Sequence, residues 1–259
     1  PCELECARRH DDDGTPIPIR ALNKMHARVV TDSGAPPALP AALDGADAGG
    51  RVAGVGGGPS GLTAARDLRL LGHRVTILEA RERLGGLLAR EVPEDRLPRW
   101  AVAADVDYVL AHGVEARTGV NVADAAGVQA LLAQVFDAVL LAVGAQREAG
   151  CGLPGEGDSA AVQPALALLG ALADGPGPRF RDAVVLGGTP TAFAAATALA
   201  TSGGGKVTLV FARERWALPV DPVTLAAAEE AGVRLRFLER ADEIEVADGM
   251  VTGVVTTRL

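Results

Sequence analysis

Gly56, Gly58 and Gly61 form a G-x-G-x-x-G run, Gly56-Gly57-Gly58-Pro59-Ser60-Gly61, directly behind the apolar stretch Arg51 to Val55 and ahead of an Ala/Leu-rich stretch. The chemistry this pattern suits is the cradling of a diphosphate. The first glycine permits a tight turn, the second lets the backbone approach a pyrophosphate, and the third lets a helix pack closely on a strand. Free amides at the helix start, near Ser60 and Gly61, then face the anion. Glu79 closes the next apolar stretch, at the distance where an acid hydrogen-bonds an adenosine ribose. A glycine-rich turn with an unrelated surface acid would not explain why strand, turn, helix and acid coincide, so dinucleotide binding is the expectation.

A second turn, Gly187-Gly188-Thr189-Pro190-Thr191-Ala192, stands in the same context with one change. Thr189 occupies the place of the glycine that approaches the pyrophosphate, where a β-carbon crowds the phosphate and restricts φ. The strand that follows ends in Phe211 where the first ends in Glu79, so the ribose-binding acid is missing. Arg213 and Arg215 just beyond suit a 2′-phosphate, which favours NADP over NAD. A solvated arginine face and a vestigial site are the competing readings. No side chain is expected to act as a catalyst in its own right. His10, His26, His73 and His112 are scattered, without metal-ligand spacing or a nucleophile elbow, which fits chemistry carried by a cofactor.

The elements that must hold these turns follow from periodicity. From Arg51 onward, apolar runs of strand length alternate with Ala/Leu-rich runs of helix length, the pattern of parallel sheets with helical crossovers. Strands are predicted near 51–55, 74–79, 114–117 and 137–143, with helices near 59–71, 98–112 and 124–133. After Gly175-Pro176-Gly177-Pro178 the pattern restarts, with strands near 182–186, 206–211 and 233–238 and helices near 190–201 and 221–231. The stretch from Ala241 to Leu259 alternates around Asp248-Gly249 and predicts a hairpin. The restart is an internal repeat, because 51–83 and 183–215 share strand, glycine turn, Ala-rich helix and a closing V-T-x-x-x-A-R-E-R. The expected fold is α/β, with two tandem Rossmann-like parallel-sheet units preceded by a short helical segment. Residues 1–50 form that segment and a linker, 51–178 the first nucleotide-binding domain, and 179–259 a second that is incomplete at its C-terminal end.

Composition narrows the partners. The 259 residues carry 25 basic and 33 acidic side chains, a net charge of −8, so no global basic field attracts nucleic acid or an anionic membrane. Only Lys24 and Lys206 are lysines. The longest uncharged run, Ala183 to Gly205, is interrupted by Gly-Gly-Thr-Pro-Thr and by Gly203-Gly204-Gly205, and reads as strand, turn and helix rather than as a membrane span. Three cysteines make no disulfide framework at this length and fit a reducing, cytoplasmic compartment.

The sequence resembles the small subunit of glutamate synthase and related FAD-dependent NAD(P)H oxidoreductases of the pyridine nucleotide-disulfide oxidoreductase superfamily. The matching stretches are Val55-GGGPSGL-62, Glu79 followed by Gly85-Gly86-Leu87-Leu88, Val92-PEDRLPR-99, Tyr108-VLAHGVEARTG-119, Asp137-AVLLAVGA-145 and Leu153-PGE-156. The resemblance implies that the first unit binds FAD through Gly56, Gly58, Pro59, Ser60, Gly61, Glu79, Ala80 and Arg81. It places Gly86, Leu87 and Leu88 beside the isoalloxazine and ribityl chain, and Val122 and the strand end Ala142-Val143-Gly144 against the nucleotide. Val143 stands where the family has Thr. The second unit then binds NADP or NAD through Gly187, Gly188, Thr189, Pro190, Thr191, Arg213 and Arg215. Cys2 and Cys6, with Pro16-Ile17-Pro18-Ile19-Arg20-Ala21-Leu22 behind them, match the cysteine-rich domain that precedes the FAD unit in this family. A [4Fe–4S] cluster needs four ligands, so Cys2 and Cys6 either contribute to one completed by residues outside 1–259 or are inert thiols. The implied function is acceptance of hydride from NAD(P)H and transfer of electrons through FAD to an iron–sulfur or catalytic partner subunit. The alternative is a non-catalytic FAD-binding scaffold or electron-transfer subunit with a degenerate pyridine nucleotide site; a plain NAD-dependent dehydrogenase using the first unit alone fits the glycine turns least. The family's late G-D motif is expected beyond Leu259, so that Pro1 and Leu259 fall inside larger units.

Overall fold

The computed structural model describes residues 6–10, 14–33, 49–145, 147–203 and 205–259. A 3-10 turn, Ala7–His10, precedes helix α1 (Ile19–Asp32), the short helical segment expected within residues 1–50, which starts just after Pro16 and Pro18. Leu22, Met25 and Val29 on α1 are exposed.

The first sheet holds β1 (Arg51–Val55), β2 (Arg74–Glu79), β3 (Glu115–Thr118) and β4 (Ala138–Leu141), in the order β3-β2-β1-β4. Every pairing is parallel, with Val52 opposite both Val75 and Ala138. Parallel neighbours need long crossovers. Helices α2 (Pro59–Leu70), α3 (Arg99–Leu110) and α4 (Ala125–Gln134) lie in those connections. Four of the five β1 residues and five of the six in β2 are buried, as unbroken apolar runs in a doubly covered sheet require. Leu62, Ala65, Val75, Ile77, Val109 and Val114 form the core beneath the first turn.

The second sheet repeats the plan with β5 (Asp182–Leu186), β6 (Lys206–Phe211) and β7 (Arg234–Phe237), all parallel, in the order β5-β6-β7. Its core centres on Phe193 and Leu209, both fully buried. Truncating a side chain such as Phe193 to Ala costs about 3–5 kcal/mol. Helix α5 (Ala165–Asp174) has no counterpart among the predicted elements. The stretch is apolar on every side, so it gives no 3.6-residue period to read. It packs against α6 (Pro190–Thr201), and Leu168 reaches the second core. The remaining crossover helix is α7 (Pro222–Glu230).

The hairpin forms where expected, from β8 (Glu239–Ala247) and β9 (Met250–Arg258). Asp248 and Gly249 carry φ values of 52° and 73°, the paired positive angles of a type I′ turn. The segment 151–159 leaves the first unit and braces this hairpin. The Ile244 N–H donates to the Pro154 carbonyl at 2.9 Å, and the Ser159 hydroxyl donates to the Gly249 carbonyl at 2.7 Å.

Candidate nucleotide-binding sites

The two glycine turns lie at the carboxyl ends of β1 and β5, where ligands bind in open α/β sheets. In each, the leading glycine has φ near 105° and its N–H donates at 2.9 Å to the neighbouring strand, Gly56 to Leu78 and Gly187 to Val210. A side chain at Gly56 would be strained by φ and would also meet the Ala142 carbonyl. A β-carbon at Gly61 would collide with the Gly56 carbonyl, so α2 approaches β1 as closely as the third glycine of the motif allows.

Beyond the leading glycine the turns diverge. In the first, Glu79 is only 8% exposed, and its carboxylate accepts from the Gly57 N–H at 2.7 Å and the Arg81 N–H at 2.9 Å. These two charge-assisted bonds offset burial of the carboxylate and lock the end of β2 to the turn. Each carboxylate oxygen keeps a further lone pair, which suits it to accept a ribose hydroxyl as well. Gly58, the N-cap of α2, offers no side-chain cap to the helix amides. A β-carbon built on Gly58 meets only the Gly86 Cα at 3.8 Å, so its backbone is open on the side a phosphate would use. The Gly85 N–H donates to the Gly57 carbonyl at 2.7 Å and thereby brings the 3-10 turn Gly86–Ala89, with Leu87 and an exposed Leu88, against the glycine turn. Pro59 and Ser60 are exposed at the start of α2, and Ala80 is exposed directly after Glu79. Ala142 donates its N–H to the Val55 carbonyl at 2.8 Å, and Val143 and Gly144 continue outward, both exposed. Val122 and Val143 line a shallow cleft of about 400 Å³ with Asp124, Val128 and Leu141. An uncapped helix start, an open glycine backbone and an oriented buried acid together fit the diphosphate and ribose of a dinucleotide.

In the second turn the same places are filled by the protein. Thr189 is the N-cap of α6, and its hydroxyl accepts from the Ala192 N–H at 3.2 Å, satisfying an amide that the corresponding glycine leaves open. Pro190 and Thr191 open the helix behind it. A β-carbon on Gly188 would lie 2.7 Å from the Phe211 ring and 2.8 Å from Leu218, so an aromatic ring sits where the Glu79 carboxylate meets Gly57. Of the two arginines, Arg215 is committed elsewhere: its guanidinium forms a two-pronged pair with Glu229 on α7, at 2.7 and 3.0 Å, and lies over the Phe237 ring. The Glu229 carboxylate raises Arg215 further above its ordinary value, while the Arg215 guanidinium holds Glu229 below the usual carboxylate range. Arg213 is exposed at the end of β6, and its backbone carbonyl accepts from the Leu238 N–H at 3.2 Å.

One group of functional interest gives no motif in the sequence. Glu91 is 5% exposed and accepts from Arg81 at 2.8 and 3.1 Å and from Arg90 at 3.4 Å. Arg90 continues to Asp174 at the end of α5, whose carboxyl it holds below its ordinary value. This chain of charges runs from Arg81, two residues beyond Glu79, to helix α5, which packs on α6. A second contact, Arg96 to Asp221 at 3.9 Å, joins the loop before α3 to the start of α7. Cys6 is half-buried, Cys2 lies outside the described residues, and no group of three or more metal-ligating side chains occurs among the described residues. Among the same residues no helix is long and apolar enough to cross a membrane.

Residues 55–258 match the pyridine nucleotide-disulphide oxidoreductase family. The chain belongs to that family. Its members bind FAD and NAD(P)H, and the open first turn fits that requirement. This pyridine nucleotide-disulphide oxidoreductase chain is 29% identical over 283 residues to the NADP(+)-dependent formate dehydrogenase subunit beta of Moorella thermoacetica, a match covering all of this chain and 39% of that protein. It is 30% identical over 269 residues to a putative glutamate synthase [NADPH] small chain of Cereibacter sphaeroides, covering all of this chain and 63% of the relative. The chain therefore spans about two fifths to three fifths of these relatives. Among solved structures, the NADPH complex of Mycobacterium tuberculosis FprA shares the fold, with a TM-score of 0.58 and 20% identity across 81% of this chain and 63% of FprA. The α/β class with Rossmann-like parallel sheets is as the sequence predicts, and so is the glutamate synthase-like resemblance.

Proposed function

We propose that this chain is the nucleotide-binding part of an oxidoreductase that accepts hydride from NADPH at the second unit and passes electrons through FAD at the first to an iron–sulfur partner or subunit. The observation that carries this reading is the first turn, where the uncapped start of α2, the open Gly58 backbone and Glu79 with its oriented carboxylate face one side of the sheet. FAD supplies a group able to take two electrons from a pyridine nucleotide and release them one at a time. The protein's own part is positional. Ser60 and Gly61 amides and the α2 dipole hold the diphosphate, Glu79 accepts the ribose hydroxyl, and Gly85 through Leu88 flank the ring. In the second unit Arg213 is the arginine placed to meet a 2′-phosphate, because Arg215 is held by Glu229. The names of the relatives, NADP(+)-dependent and [NADPH], support this cofactor over NAD. Both relatives are subunits, which supports a partner. Low cysteine use supports a reducing, cytoplasmic setting. We place the boundary between the units ahead of Ala165 rather than at 178, since α5 packs on α6.

A second reading, an FAD-binding electron-transfer subunit that does not take NADPH, is favoured by the Thr189 cap and the Phe211 ring. An anaerobic visible spectrum of the intact native protein, titrated first with NADPH and then with NADH, separates the two. Bleaching of the flavin band by NADPH ahead of NADH is the expected result; flavin that stays oxidised with both favours the second reading, and absence of flavin overturns both. Arg213→Ala should weaken NADPH at least tenfold while leaving NADH unchanged, and Arg215→Ala should change neither.

A further inference from the structure

We propose that Trp216 is an adenine-stacking residue of the second nucleotide site. The proposal rests on the reading of that site as one that binds NADP(H), and it adds the residue that would hold the base. The two units end their repeats with the same four residues, Ala80-Arg81-Glu82-Arg83 and Ala212-Arg213-Glu214-Arg215, followed by Leu84 in one and Trp216 in the other. These two following residues go different ways. Leu84 packs into the first core and presses on the Gly57 position, where a β-carbon would strike it. In the second unit that inward place belongs to Leu218, two residues later, which packs on the second core and sits against Gly188. Trp216 is left 80% exposed, the greatest exposure of any large apolar side chain among the described residues.

Its position is fixed from both sides. Phe211 and Leu218 both touch the Gly188 turn, and between them runs the 3-10 turn Arg215–Ala217, closed by N–H bonds from Ala217 to the Glu214 carbonyl at 3.0 Å and from Leu218 to the Arg215 carbonyl at 3.3 Å. The Arg215 side chain is drawn away to Glu229. Trp216 therefore sits on a braced turn that follows β6, three residues beyond exposed Arg213, at the end of the sheet where the adenosine half of a dinucleotide lies in such folds. A protein rarely leaves an indole this exposed, since its area drives burial in folding and association alike. A flat base offers that area a partner, and stacking does not depend on the redox state of the nicotinamide. With Thr189 already capping α6 and no acid for the ribose, this site has lost two usual contacts; a stacking residue and a 2′-phosphate arginine at the far end of the ligand supply replacements.

The test is calorimetric titration of the intact native protein with 2′,5′-ADP and with 5′-ADP, which carry the base but undergo no hydride transfer. Trp216→Ala should weaken both ligands by the same factor, about tenfold, Trp216→Phe should stay within threefold of the parent, and Arg213→Ala should weaken 2′,5′-ADP alone. Because the side chain is exposed, thermal midpoint and flavin content should not change in either Trp216 variant. Unchanged affinity in Trp216→Ala, with a parent that binds, overturns the proposal while leaving the NADP(H) reading intact. Unchanged nucleotide affinity together with loss of a co-purifying subunit overturns it too, and makes the indole a protein contact. A parent that binds neither 2′,5′-ADP nor NADPH removes the site on which the proposal stands.

Discussion

The two units share strand, turn, helix and tail, yet only the first keeps its glycine turn open. Its helix start has no side-chain cap, and its acid reaches back to fasten the turn while retaining acceptor capacity. The second closes the same places with its own Thr189 hydroxyl and Phe211 ring, while Leu218 against Gly188 repeats what Leu84 does at Gly57. The lesson is that one backbone plan can leave a glycine turn open or close it, according to two side chains. A self-capped turn is stable without an anion, so a nucleotide there must displace an existing hydrogen bond, whereas the first turn gains one.

The sharpest way to break the comparison is Glu79→Ala. It strips acceptors from two N–H groups, one of them buried, and should cost about 3 kcal/mol together with loss of flavin; a thermal melt and the flavin-to-protein ratio measure both. Next is Gly61→Ala, which gives the first unit the residue its repeat has at Ala192. The new β-carbon meets the Gly56 carbonyl, so about 2 kcal/mol of overpacking and weaker flavin retention are expected, read by chemical denaturation. In the second unit Thr189→Ala should lose about 1 kcal/mol of helix capping, while Thr189→Gly should lose only a few tenths and bind NADPH more tightly by reopening the turn. If Thr189→Gly leaves affinity unchanged, the hydroxyl is not what closes the site. The smallest effect is on pH dependence. Arg215 lowers Glu229 from its ordinary value of 4.5, and Arg90 lowers Asp174 from 3.8, so each pair contributes stability above those values and loses it as pH falls through the depressed folded value. Glu229→Gln should therefore melt slightly earlier than the parent at neutral pH and together with it in strong acid.

Much of the fold was legible because its signals are local. Periods of two and 3.6 located the strands and helices of both sheets, and Asp248-Gly249 marked the hairpin, because positive φ at both turn positions selects those residues. Helix α5 was not legible, since an all-round apolar run carries no phase, and its position depends on α6 and on Glu148, whose carboxylate accepts from the Leu166 N–H at 2.6 Å. The same holds for Glu91. Nothing around it in sequence distinguishes it from a solvated acid, and it becomes a buried hub only when Arg81 and Arg90 fold over it.

By itself the sequence determined where the turns lie, that there are two of them, and that Thr189 and Phe211 break the pattern, because glycine positions and repeat spacing are constraints that act within a few residues of chain. Only the tertiary structure decided what those breaks do. It capped α6 with Thr189, tied Arg215 to Glu229, and sent Leu84 inward and Trp216 outward after the same four residues, Ala-Arg-Glu-Arg. Those outcomes depend on which side chains from distant elements reach the same space first, and packing at close contact lets only one of them occupy it.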